Sequence, residues 1–108
     1  MGLNQEIINI TEAIRQAVPA EKIYLFGSYA YGVPDEDSDY DFFVVIPDGG
    51  VRPLDAMKQA RRSLRELNRK TPVDILADYS SRFERRRHMN TLERKIANEG
   101  TVLYCSTH

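Results

Sequence analysis

Five residues of this 108-residue chain have types and spacings that can do chemistry together. Asp39 and Asp41 stand two apart at the head of an apolar run, Phe42 to Ile46. In an extended segment residues i and i+2 share one face, roughly 6.5–7 Å apart. Two carboxylates on one face repel, which raises at least one pKa unless a cation neutralises them. The head of a buried strand is also a costly place for unpaired charge. A divalent ion resolves the conflict, since Mg²⁺ takes one or two carboxylates together with substrate phosphates. Asp74 heads a second apolar segment and completes a carboxylate trio. Such a trio can hold two metals roughly 3.5–4 Å apart, an arrangement that serves in-line displacement at phosphorus. Gly27-Ser28 supplies the other half. Glycine lets backbone approach a phosphate closely, a helical N-terminus offers free N–H groups, and the serine hydroxyl adds a donor. The substrate this pattern suits is a nucleoside triphosphate.

The elements that must position these residues are legible in outline. Ile7, Ile10, Ile14 and Val18 recur at helical spacing over residues 4–18, and Pro19 stops the run. Ile23 to Phe26 reads as a strand ending at Gly27, followed by one helical turn from Ser28 to Tyr31 that Gly32 closes. Val33 to Ser38 reads as a loop, and Tyr40 to Ile46 as a central strand ended by Pro47-Asp48-Gly49-Gly50. Leu54, Met57, Ala60, Leu64 and Leu67 predict a helix over residues 53–70, with Pro53 at its first position. Val73 to Ala77 reads as a third strand. Residues 80–99 read as one long helix, begun by Ser80 or Ser81 and ended by Gly100 at C′. Val102 to Tyr104 adds an edge strand. The expected fold is α/β (α+β): one domain over residues 1–108, with a small mixed sheet of three or four strands and helices against one face.

Composition narrows the classes. The hydrophobic fraction is 42% and the charged fraction 29%, as in ordinary globular domains. No apolar run reaches the eighteen or so residues of a membrane span, and the N-terminus lacks a secretory pattern. Gly2 follows Met1, but Glu6 stands where myristoylation needs Ser or Thr. Cys105 is the sole cysteine and is read as part of a frayed tail, so a reducing cytoplasm is expected. The net charge of −1 conceals a split. Residues 1–51 hold nine acids and two bases, and residues 52–108 hold seven acids and thirteen bases. Five of the acids crowd into Asp35, Glu36, Asp37, Asp39 and Asp41, a concentration that a cation would relieve.

With these pieces in place, the chain resembles the minimal nucleotidyltransferases of the DNA polymerase beta superfamily. Leu25-Phe26-Gly27-Ser28, followed after ten residues by Asp39-Tyr40-Asp41, is similar to that family's signature. The resemblance continues through Val73-Asp74-Ile75 and Glu99-Gly100-Thr101-Val102-Leu103-Tyr104. One departure stands out: many members read Gly-Ser-x-Ala-Arg-Gly, and here Tyr31 replaces the arginine. The resemblance implies transfer of AMP from ATP with two Mg²⁺ ions on Asp39, Asp41 and Asp74, and with Gly27 and Ser28 holding phosphates. It also implies a partner, because members are often antitoxins encoded beside a helical HEPN-type toxin, and some adenylylate a tyrosine of that toxin. Alternatives are a binding module that neutralises its partner by contact, or transfer to a small molecule or RNA. Homo- or hetero-oligomerisation stays open.

Other features are read more plainly. Lys58, Arg62, Arg65 and Arg69 form a basic stripe opposite the apolar face of the second long helix, read first as a solvated face. Arg85-Arg86-Arg87-His88 points several ways around the last helix, and His88 is read as non-catalytic. Tyr24, Tyr29, Tyr31 and Tyr40 surround the motif; Tyr29 or Tyr31 could stack on a base, and packing at the sheet edge is the first reading of each.

Overall fold

The structure is a computed structural model that describes residues 4–32, 34–35 and 37–106; the readings on Gly2, Val33 and Glu36 lie outside the described residues. Helix α1 (Gln5–Ala17) starts where the Asn4 side chain accepts a hydrogen bond from the Ile7 N–H at 2.8 Å. This is an N-cap that satisfies one orphan donor of the first turn. Then follow β1 (Lys22–Phe26), the single turn α2 (Ser28–Tyr31) and β2 (Tyr40–Ile46). The chain continues through α3 (Pro53–Ser63), β3 (Val73–Tyr79), α4 (Ser80–Arg86), α5 (Leu92–Glu99) and β4 (Thr101–Cys105).

The four strands form one mixed sheet in the order β3-β2-β1-β4. β1 runs antiparallel to both β2 and β4, while β2 and β3 are parallel and joined by the α3 crossover. Helices cover both faces, not one. Tyr40, Phe42, Val44 and Ile46 pack with Ile7, Ile10 and Ile14 of α1 and with Ala56 and Ala60 of α3. Phe43 and Val45, of opposite parity, pack with Tyr24, Phe83 of α4 and Ile96 of α5. The reason lies in β2 itself: Phe42 to Ile46 is apolar at every position, which suits a strand buried on both sides. The second core is much the smaller.

Two long helices are shorter than the sequence suggests. α3 ends at Ser63, whose hydroxyl donates to the Ala60 carbonyl at 2.6 Å, and the bonds from Leu64 N–H to Arg61 and Arg65 N–H to Arg62 are three-residue turns. Leu64 and Leu67 keep their inward spacing beyond the helix end. Residues 80–99 divide into α4 and α5. Thr91 makes the break: its hydroxyl donates to the Arg86 carbonyl at 2.6 Å and accepts from the Arg94 N–H. The start of α4 is capped from afar, by Asp48 accepting from the Ser81 N–H at 3.0 Å, and not by Ser80 or Ser81. Gly100 is the cap of α5 at φ −69°, not a left-handed residue beyond it. Glycine is needed there for space, since a Cβ would come within 2.6 Å of the Ile96 carbonyl oxygen. Cys105 belongs to β4 and is exposed. Among the described residues no helix is long and apolar enough to cross a membrane.

Candidate functional site

The five residues singled out above come together at one end of the sheet. Asp41 is the second residue of β2, between Phe26 of β1 and Asp74 of β3, its partners in register. It shares its face with Phe43 and Val45, so it projects to the α4 and α5 side, as Asp74 does. Asp39 lies just ahead of β2. Asp41 is half-buried and Asp74 exposed. Burial pushes the Asp41 carboxyl above the usual aspartate range, and the neighbouring Asp74 and Asp39 carboxylates push it further the same way. Among the described residues no three carboxylate, imidazole or thiol side chains close into a ready metal cage. Asp39 and Asp74 stand as electrostatic neighbours of Asp41.

Gly27 is fitted to this cluster twice over. It takes φ +77°, and a Cβ there would collide with the Asp41 carboxylate oxygen. No other residue type combines that conformation with that space. Its carbonyl accepts from the Ala30 and Tyr31 N–H groups, at 3.0 and 2.9 Å, and so opens α2. The Ser28 and Tyr29 N–H groups are then first-turn donors beside the acids. An oxygen-only donor set whose like charges oppose one another, beside a phosphate-sized backbone turn, fits a hard divalent cation shared with phosphate oxygens. Asp39, Asp41 and Asp74 are the groups that would hold it.

A residue that sequence reasoning passed over aligns the strand heads. Glu6 in α1 accepts from the Tyr40 hydroxyl at 2.8 Å and from the Lys70 N–H at 2.8 Å. The Lys70 N–H bond, with the Tyr40 hydroxyl, holds the Glu6 carboxyl below its ordinary range. Asn4 also donates to the Tyr40 hydroxyl at 3.2 Å, and the Tyr40 N–H donates to the Pro72 carbonyl at 3.0 Å. The lead-ins to β2 and β3 are thereby pinned to one helix end, next to Asp39, Asp41 and Asp74. The signal available in the sequence was an acid in the first turn after an Asn cap.

The tyrosines pack, as read. Tyr29 meets Tyr40 edge-on at 4.6 Å, and Tyr24 stacks on Phe83 at 5.4 Å. Tyr31 stands at the site, with a buried hydroxyl that has no hydrogen-bond partner among the described residues. Of the basic features, Arg86 pairs with Glu93 at 2.9 Å and Arg87 with Glu84 at 3.3 Å, while His88 is exposed. Lys58, Arg61, Arg62 and Arg65 line an open groove of about 240 Å³. Arg65 and Arg69 lie past the end of α3, so the stripe is not a single helical face.

Comparison with known proteins gives the family and the fold. Residues 7–103 match the family model described as a nucleotidyltransferase domain. A structure from Sulfolobus solfataricus assigned as a nucleotidyltransferase superposes with a TM-score of 0.59 at 20% identity, covering 89% of this chain and 74% of the other. A mutant of the toxin–antitoxin MntA–HpeT gives 0.62 at 22% identity, covering 97% and 76%. A toxin–antitoxin structure with AMP-PNP gives 0.55 at 19%, covering 96% and 76%. No curated protein matches the chain by sequence.

Proposed function

From the premise that the chain belongs to the nucleotidyltransferase domain family, we propose that it transfers AMP from ATP to a tyrosine hydroxyl of a cognate HEPN-type toxin and so acts as an antitoxin. The observation that carries the reading is Asp41, half-buried against Gly27 and flanked by two further carboxylates that oppose its ionisation. A cluster built at a cost to itself is explained by the ligand that relieves it. Two Mg²⁺ ions, when bound, supply charge neutralisation at the phosphates and lower the pKa of the attacking hydroxyl.

The chain's own residues do the rest. Asp39 and Asp41 hold the cationic charge at the sheet end, and Glu6 keeps their strand aligned with β3. Gly27 and the first-turn amides of α2 hold the β- and γ-phosphates, with the Ser28 hydroxyl as an added donor. Asp74 takes the proton of the acceptor hydroxyl. The acceptor oxygen bonds to the α-phosphorus in line, the bond to the bridging oxygen breaks, and pyrophosphate leaves with that electron pair. Catalysis is mainly positioning and electrostatics.

The adenine nucleotide and the partner are supported by the similar structures, two of which are toxin–antitoxin assemblies, one of them with AMP-PNP. The test incubates the protein with labelled ATP and Mg²⁺, with and without the product of the adjacent gene, and locates label by mass spectrometry. AMP on a partner tyrosine, absent with Asp74→Asn although that variant still binds ATP, is the expected result. Efficient transfer to a free small molecule, with no label on the partner and no complex between the two proteins, overturns the proposal.

A further inference from the structure

The site described so far is acidic, and its proposed ligand is a polyanion. Asp39, Asp41 and Asp74 face it, and Glu99 at the end of α5 stands close enough to act on Tyr31, as Asp41 does. Tyr31 links the α2 turn to α5. Its N–H closes α2 onto Gly27 at 2.9 Å, and its hydroxyl is buried, near enough to the Gly27 backbone and the Asp41 carboxylate to feel both. The ring is therefore fixed beside the turn proposed to hold phosphate. The Lys95 ammonium of α5 lies over the face of that ring, 4.9 Å from its centroid. A cation at that distance is held by the ring quadrupole and keeps its hydrogen-bond donors free. Among the described residues Lys95 makes no ion pair. It also borders an open groove of about 370 Å³ with Asn90, Thr91, Arg94, Asn98 and Glu99, so no described residue covers it on the outer side.

We propose that Lys95, held on the Tyr31 ring, is a triphosphate-binding residue that pairs with the β- and γ-phosphates and steadies the departing pyrophosphate. The proposal deepens the nucleotide reading above and rests on it. Two features meet in it: a cation with no ion pair among the described residues, and an aromatic platform fixed by the turn proposed to hold phosphate. The ammonium needs only to swing from the ring face to a phosphate oxygen, a change within reach of a lysine's rotatable bonds. Its contact is with phosphates that ATP has and AMP lacks.

The experiment measures affinity for Mg²⁺-ATP and for AMP by titration calorimetry. Lys95→Met is expected to weaken Mg²⁺-ATP binding about tenfold or more, as loss of a charge-assisted contact does, and to leave AMP binding unchanged. Lys95→Arg keeps most of the ATP affinity. Tyr31→Phe preserves the ring and keeps it too, whereas Tyr31→Leu removes the platform and loses part of it. Unchanged ATP affinity in Lys95→Met, or an equal loss for ATP and AMP, overturns the role. Wild-type protein that binds neither nucleotide overturns the underlying nucleotide reading instead, and this one with it.

Discussion

Replacing Asp41 by asparagine removes a charge without changing shape, and the structure says what that should do to the free protein. Asp41 and Asp74 are register partners on adjacent parallel strands, which lie about 4.8 Å apart. Two unit charges about 5 Å apart repel by about 3 kcal/mol at an effective dielectric of 20, and by less than about 1 in bulk water. Asp41 is half-buried and Asp74 exposed, so screening brings the figure to about 1 kcal/mol. In a domain of this size that is a gain of about 4–8 °C in Tm. The pH dependence follows from the direction of the shift. The Asp41 carboxyl is raised above its ordinary value of 3.8, so the folded state binds its proton more tightly than the unfolded chain. Its contribution is fully present below that ordinary value and is lost as pH rises through the raised one. Asp41→Asn should therefore melt higher than wild type at pH 7 in the absence of divalent ions, with the gap closing as pH falls into the carboxylate range. Mg²⁺ should stabilise wild type and leave the variant unmoved. Calorimetric melting at several pH values, in EDTA and in Mg²⁺, reads all of this. A variant that melts lower than wild type at pH 7, or an advantage that does not vary with pH, refutes the reasoning.

Two further outcomes bear on the frame around the site. Gly27→Ala meets both a positive φ and the Asp41 carboxylate, so urea denaturation should show a loss of about 1–3 kcal/mol, and ATP-dependent transfer should disappear with it. Arg86→Ala leaves the buried Glu93 without its 2.9 Å partner and should cost about 2–3 kcal/mol, while adding Glu93→Gln recovers most of that; a full-sized loss in the double variant would show that the ion pair is not the cause.

What could be read from the residues, and what could not, divides along physical lines. α2 and β2 fall on Ser28–Tyr31 and Tyr40–Ile46, the bounds expected, because glycine and charge punctuate both ends of each. The register that sets Asp41 beside Asp74 was implicit in the matching positions of two acids at two strand heads. The helix ends were harder. Leu64 and Leu67 stay at helical spacing while the backbone tightens into three-residue turns, so periodicity alone overruns the true end at Ser63. The break at 87–91 contains neither glycine nor proline. It rests on Thr91 bonding back to Arg86 and capping α5, and a Thr followed closely by Glu93 was its one local trace. Asp48 capping α4 and Glu6 clamping Tyr40 to Lys70 link residues far apart in the chain, which no local pattern reveals. The covering of both faces was visible in the unbroken apolarity of Phe42–Ile46, and reading that run only as a buried strand missed its second consequence.

The two cores that flank the sheet are unequal, and the acidic cluster projects to the thinner side. Among the described residues fourteen buried ones anchor the α1 and α3 layer, while Tyr24, Phe43, Val45, Phe83 and Ile96 make up the buried part of the other. Amide hydrogen exchange converts that asymmetry into an order of events. Amides of α4 and α5 are expected to exchange through a sub-global opening that needs less free energy than full unfolding, and those of β1, β2 and α1 only when the whole domain opens. On that order the wall of the proposed nucleotide site would loosen while the strands bearing its carboxylates remain formed. A ligand that engages α5 and the sheet end at once slows exchange most in the layer that is weakest without it.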